Sequence, residues 1–131
     1  MFGYKIVYRR RVRRRRPASA ASSRKFQLYK EEARALVHAL IARLNAHYDY
    51  AVRRVFIKNS RSRWGSCSEH GNLNFNYRLL FLPPRLAEYV VTHELCHLKE
   101  MNHSPAFWAL VEETIPDYKK ARKALRRIRI R

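Results

Sequence analysis

His93 and His97 stand four residues apart in the run His93-Glu94-Leu95-Cys96-His97. On a helix, residues four apart share one face, a turn apart. At that spacing two imidazoles can reach one metal ion, with Zn–N bonds of about 2.0–2.1 Å. Glu94 falls off their axis, where its carboxylate can touch a water beside the metal without being a ligand. A helix is expected here on independent grounds. Pro84 suits a first turn, and the helix should run to about Glu100. Ala87, Val91, Leu95 and Leu98 form an apolar stripe opposite the two histidines and should face the core. Leu86, Tyr89 and Val90 should wall the histidine side.

Two histidines do not complete a zinc site; a third protein ligand and an open position for water are needed. His103 is the first candidate. It lies six residues beyond His97, past a helix break at Asn102-His103-Ser104-Pro105, so a turn can bring it back against the last helical turn. Glu112, on the following helix, is the main alternative; Glu113 and Glu100 are weaker ones. The pattern His-Glu-x-x-His is that of zinc metallopeptidases. In that chemistry the metal lowers the pKa of its water from about 16 towards 7 and polarises a carbonyl. Glu94 would take the proton of that water and pass it to the leaving amine.

The rest of the chain reads as a small α+β domain. Residues 4–8 could form a short strand, and residues 9–16 are a basic run closed by Pro17 and small residues. Residues 1–22 are therefore expected to be a basic arm or edge strand, and residues 23–131 the globular domain. A helix is expected from Ser23 or Arg24 to about His47, with Ala33, Leu36, Val37, Leu40, Ile41 and Leu44 as its apolar face. His38 and His47 read as surface residues. Residues 52–58 are rich in β-branched and aromatic side chains and read as a strand. Residues 60–70 read as a polar loop ending at Gly71. Asn72–Asn76 alternates asparagine with apolar residues, as a strand with one buried face does. The two strands are expected to pair antiparallel. Residues 106–115 read as a third helix, capped by Ser104 with Pro105 first, and a last helix follows Pro116-Asp117.

Charge is uneven. The net charge is +19, with ten Lys/Arg and no acid in residues 1–25, and eight Lys/Arg against Asp117 in residues 117–131. The segment between is nearly neutral, so the basic ends flank an ordinary globular sequence. Such ends attract polyanions, and nonspecific nucleic-acid binding is expected as a side property. Cys67 and Cys96 do not make a disulfide framework. No apolar run is long enough for a signal peptide or a membrane span. A monomeric cytoplasmic protein with reduced thiols is the expectation.

Several separate motifs appear in order: Arg63-Trp64-Gly65-Ser66-Cys67-Ser68, Asn76 and Leu79, Pro83-Pro84, residues 89–98 around the two histidines, Asn102-His103-Ser104, and Phe107-Trp108. From about residue 27 to its end the chain resembles the YgjP-like (WLM-type) zinc metallopeptidases. It is similar, more distantly, to SprT-like proteases. The resemblance implies a gluzincin-like zincin fold, with a small twisted sheet packed on the active-site helix and helices before and after it. It also implies His103 as third ligand of a single Zn²⁺ ion, beside His93 and His97, with Glu94 as catalytic base. Relatives usually carry a longer β-rich region before the first helix, so the sheet here should be smaller or its edge more open.

In such an arrangement an extended peptide substrate adds beside an exposed strand. Asn72–Asn76 or residues 52–58 would supply that edge, with Asn74 and Asn76 as candidate substrate-binding residues. Arg61 and Arg63 could hold a substrate carboxylate or the developing oxyanion. Trp64 reads as a packing anchor for its loop. Cys96 reads as a small buried residue, whereas a Cys67 thiolate could occupy the open metal position and keep an enzyme latent. The reading is a zinc-dependent peptide hydrolase. The alternative is a basic nucleic-acid- or ribosome-associated protein with a structural zinc, or a protease restricted to nucleic-acid-bound substrates.

Overall fold

The computed structural model describes residues 19–131. The strand expected at residues 4–8 and the basic run after it lie outside the described residues. Helix α1, Ala20–Tyr48, begins where the side chain of Ser19 accepts a hydrogen bond from the Ser22 amide at 3.0 Å. It therefore starts inside the expected arm. Its buried residues are Ala33, Val37, Leu40 and Leu44, spaced as one face of an α-helix requires. His38 and His47 are exposed, and His47 pairs with Glu113 at 2.8 Å. The helix ends at Asp49, whose left-handed backbone (φ 57°) lets its amide donate to the Asn45 carbonyl. The Asn45 side chain bonds both the amide and the carbonyl of Tyr50, which fixes the exit direction.

Three strands follow: β1 (Arg54–Lys58), β2 (Gly65–Cys67) and β3 (Asn72–Asn76). Their spatial order is β1-β3-β2. Contrary to the sequence expectation, β1 and β3 run parallel, with Val55 opposite Leu73 and Ile57 opposite Phe75. The cause lies between them. The stretch read as a polar loop contains β2, which runs back along the far side of β3, so the chain reverses twice between β1 and β3. Strand β2 escapes detection because Gly65-Ser66-Cys67 has no alternation of large apolar residues; its pairing to β3 is carried by backbone. The β2–β3 turn places Gly71 at φ 83°, a conformation with a low cost only for glycine.

The two faces of the sheet differ. Ile57, Leu73 and Phe75 are buried in the core. Phe56, Lys58, Asn72, Asn74 and Asn76 point the other way, as strand alternation demands. A 3₁₀ turn at Tyr77–Phe81 leads to Pro83, and helix α2 spans Pro84–His97. Helix α2 is buried on every side: from Leu86 to His97 only Glu88 keeps a partly exposed surface. The stripe of Ala87, Val91 and Leu95 faces the core as expected. The histidine side is covered as well, by helices α3 (Pro105–Thr114) and α4 (Tyr118–Arg126). Helix α2 touches α1, α3, α4, β2 and β3, and so forms the axis of the domain. The result is the α+β architecture expected, with a small mixed sheet packed on the histidine helix. Among the described residues no helix is long and apolar enough to cross a membrane.

Candidate metal centre

His93 and His97 project from the same side of α2, with ring centroids 4.7 Å apart. Past His97 the helix tightens: the amides of Leu98, Lys99 and Glu100 bond back to carbonyls of Leu95 and Cys96. The turn then leads to Ser104, whose side chain caps α3 by accepting from the Phe107 amide at 3.4 Å. This tight link between two helices places His103 against the last turn of α2. Its ring lies 5.1 Å from that of His93 and 4.6 Å from that of His97. One nitrogen from each of the three histidines lies within 4.8 Å of the other two, and all three side chains are buried.

The separations suit a metal ion. Two ligands on a tetrahedral ion with bonds of about 2.0–2.1 Å stand about 3.3 Å apart; His103 Nε2 and His93 Nε2 are 3.2 Å apart. His97 supplies a second test. Its Nδ1 lies 2.9 Å from the carbonyl oxygen of Glu100. A carbonyl only accepts, so Nδ1 carries the hydrogen, and a neutral His97 presents Nε2 as the lone-pair donor. Burial pushes the pKa of His93 well below the usual imidazole range, and the positive charge of Arg122 adds to the effect. A neutral imidazole is the form that binds a metal.

Glu94 is fully buried, with Oε2 3.3 Å from His93 Nδ1. It is not among the three grouped donors. Glu112 is exposed on α3, and Glu113 is engaged with His47, so neither joins the group. Cys67 also stays outside it. Its thiol donates to the Ser68 carbonyl at 3.4 Å, and burial, helped by the charge of Glu94, pushes its pKa up to about 12. Cys96 is buried behind the histidines, and burial likewise raises its thiol to about 12.

Phe107, in the sequence a member of the Phe107-Trp108 motif with no role assigned at the metal, supports the whole centre. Its ring stacks on His97 at 4.4 Å and lies 5.0 Å from His93 and 4.9 Å from His103. Trp108 lies 5.9 Å from His93 and 5.8 Å from His103, stacked on Tyr118 and under the guanidinium of Arg122. A Ser cap sets the phase of α3, and that phase alone decides that Phe107 and Trp108 reach the imidazoles.

The three residues expected to bind substrate have separate fates. Asn76 is buried. Its Nδ2 donates to the carbonyls of Ser60 (2.7 Å) and Arg63 (2.9 Å), and its Oδ1 accepts from the Arg78 amide. It pins the loop between β1 and β2. Asn74 and Arg63 line a concavity on the sheet face turned away from the core. Strand β3 lies at the centre of the sheet and offers no free edge; β2 is the edge strand beside α2.

The sequence profile described as "YgjP-like, metallopeptidase domain" matches residues 5–128. Among solved structures, the chain is similar to the crystal structure of the metallopeptidase zymogen of Pyrococcus abyssi abylysin. The two share 25% identity with a TM-score of 0.61, over 68% of this chain and 90% of that one. A comparison with curated proteins returned no match.

Proposed function

The chain belongs to the family of YgjP-like metallopeptidases, and on that premise we propose that it hydrolyses peptide bonds with one zinc ion held by His93, His97 and His103. The observation that carries this reading is the donor set. Among the described residues the group comprises three histidines and no fourth His, Cys, Asp or Glu. A structural zinc site closes itself with four protein ligands; a catalytic one keeps a position open. The separation of His93 and His103 and the tautomer of His97 support the same assignment.

Zinc held there supplies Lewis acidity, which acidifies water and polarises a carbonyl oxygen. Glu94 is the general base. Its carboxylate accepts the proton of the attacking water and returns it to the departing amine. His97 is kept in the productive tautomer by the Glu100 carbonyl, and Phe107 holds the rings in place. Strand β2 offers an edge beside α2, along which an extended peptide can add.

We place this activity in the cytoplasm of the cell, in a monomer; both cysteines are free thiols. Lys119, Lys120, Lys123 and Arg126 are exposed on α4. They support a secondary, salt-dependent affinity for nucleic acid. The deciding experiment measures zinc content and cleavage of an unstructured protein for wild type and Glu94→Gln. One zinc per chain in both, with hydrolysis only in wild type, is expected. Normal turnover by Glu94→Gln overturns the role of Glu94, and absence of bound zinc in both proteins overturns the site.

A further inference from the structure

Arg122 stands on α4 at the margin of the metal centre. Its guanidinium lies over the Trp108 ring, 4.9 Å from the centroid, and that ring lies 5.9 Å from His93 and 5.8 Å from His103. Arg122 and Trp108 are both only partly buried, so solvent reaches them. Among the described residues Arg122 makes no hydrogen bond and no ion pair. Two acids of the surrounding elements are spent elsewhere: Asp117, ahead of α4, and Glu88, on α2, both pair with Arg85, at 2.6 Å and 3.6 Å. A guanidinium held over an indole is already oriented and loses little freedom when its donors are used. Its planar fork is matched to a carboxylate, which it takes with two parallel hydrogen bonds.

The walls of the site say where that carboxylate comes from. Strand β2 and helix α4 both pack on α2. On β2, Cys67 is held up by burial and then by the charge of Glu94. On α2, His93 is held down by burial and then by the charge of Arg122. The pair His93-Glu94 thus has β2 on one side and Arg122 on another. A peptide extended along β2 across Glu94 would present to Arg122 the side chains, or the chain end, that it does not turn to the strand. We infer that Arg122 is a specificity residue that takes a substrate carboxylate, from an acidic side chain near the scissile bond or from the chain terminus, with Trp108 holding its guanidinium in place. The inference rests on the peptidase reading above and names the substrate class for the same site.

The test uses quenched-fluorescence peptides of one sequence, amidated at the C-terminus, with Glu or Gln scanned through the positions flanking the scissile bond, plus the Gln peptide as a free acid. Wild type should show kcat/KM about tenfold higher for a carboxylate-bearing peptide than for its Gln amide, the size expected of hydrogen bonds to a charged group. A Glu preference assigns the side chain, a free-acid preference the terminus. In Arg122→Gln the ratio should fall to about one, because the fork and its charge are gone. A merely structural Arg122 would lower hydrolysis of every peptide alike and leave the ratio as in wild type. That result overturns the role, as does a wild type without carboxylate preference. If thermal melts show Arg122→Gln unfolded, Arg122→Lys, which keeps a cation but loses the planar fork, is read by the same ratio. A smaller preference supports the role and an unchanged one overturns it. If no peptide is cleaved, the peptidase reading fails, and binding decides the role of Arg122. Fluorescence anisotropy on Glu94→Gln protein supplied with zinc should find the carboxylate peptide bound more tightly than its amide, and the difference lost when Arg122→Gln is added. Equal binding overturns it.

Discussion

The Nδ1 atom of His97 lies 2.9 Å from the carbonyl oxygen of Glu100. One backbone contact therefore does two things. It ties the turn after α2 back to the helix, and it leaves Nε2 of a neutral His97 without a hydrogen. The proposed metal site is built partly by the way the helix stops. Outer contacts of this kind typically govern about 10–100-fold in metal affinity.

The third ligand separates His103 from Glu112. Dialysed His103→Ala should retain little zinc, while Glu112→Ala, exposed on α3, should retain one equivalent. Metal analysis of the purified proteins reads the difference. Zinc loss from Glu112→Ala with retention by His103→Ala would reverse the assignment.

Glu94→Gln preserves shape and removes the proposed base. Hydrolysis should fall by about 10²–10⁴-fold, the range for a general acid–base group. Zinc content should be unchanged, because Glu94 lies outside the ligand group.

Phe107 contacts all three imidazoles. Phe107→Ala should cost about 3–5 kcal/mol of stability through the cavity it leaves. Phe107→Leu should cost less, yet still weaken zinc retention, because a branched side chain cannot stack on His97. Chemical denaturation and competition with a chelator measure the two effects separately.

Asn76 is a structural residue in this geometry. Asn76→Ala strands the carbonyl of Arg63 and the amide of Arg78, and leaves the Ser60 carbonyl only its Arg78 donor; it should cost about 2–4 kcal/mol, with each orphaned buried group contributing about 1–3 kcal/mol. Urea unfolding gives the number. Loss of activity at unchanged stability would instead assign Asn76 to the substrate.

Cys67 and Cys96 both have thiols raised to about 12, chiefly by burial. A thiol reacts as thiolate. In the folded protein both should alkylate far more slowly at pH 8 than the same thiols in urea, and their rates should still be rising with pH beyond 10. Mass spectrometry of iodoacetamide-treated protein follows each site. A Cys67 that alkylates rapidly at pH 8 would return it to the list of reactive groups at the metal.

Much of the local structure is legible in the sequence because its causes are local. Ser104 acts as a cap, Pro84 and Pro105 open helices, and the spacing of Ala33, Val37, Leu40 and Leu44 marks a face, whereas the cap at Ser19 lies ahead of the helix start expected at Ser23 or Arg24. The direction of β3 is not legible. It depends on β2, three small residues whose signal is their backbone pairing with β3 rather than any side-chain pattern. Asn76 shows the same limit. Its alternation with Phe75 and Leu73 reads as a solvated face, but the loop of residues 59–63 folds over that face and buries it.

By itself the sequence determined that one helix carries His93, Glu94 and His97, because an i, i+4 pair and an apolar stripe are properties of a single helix. It also marked a break near Asn102, although the helix, expected to about Glu100, ends at His97. Only the tertiary structure decided that His103 joins the group while Glu112 does not, and that Phe107 underlies all three rings. Those relations join residues on different elements. Spacing along the chain cannot encode them, because they follow from how α3 packs against α2.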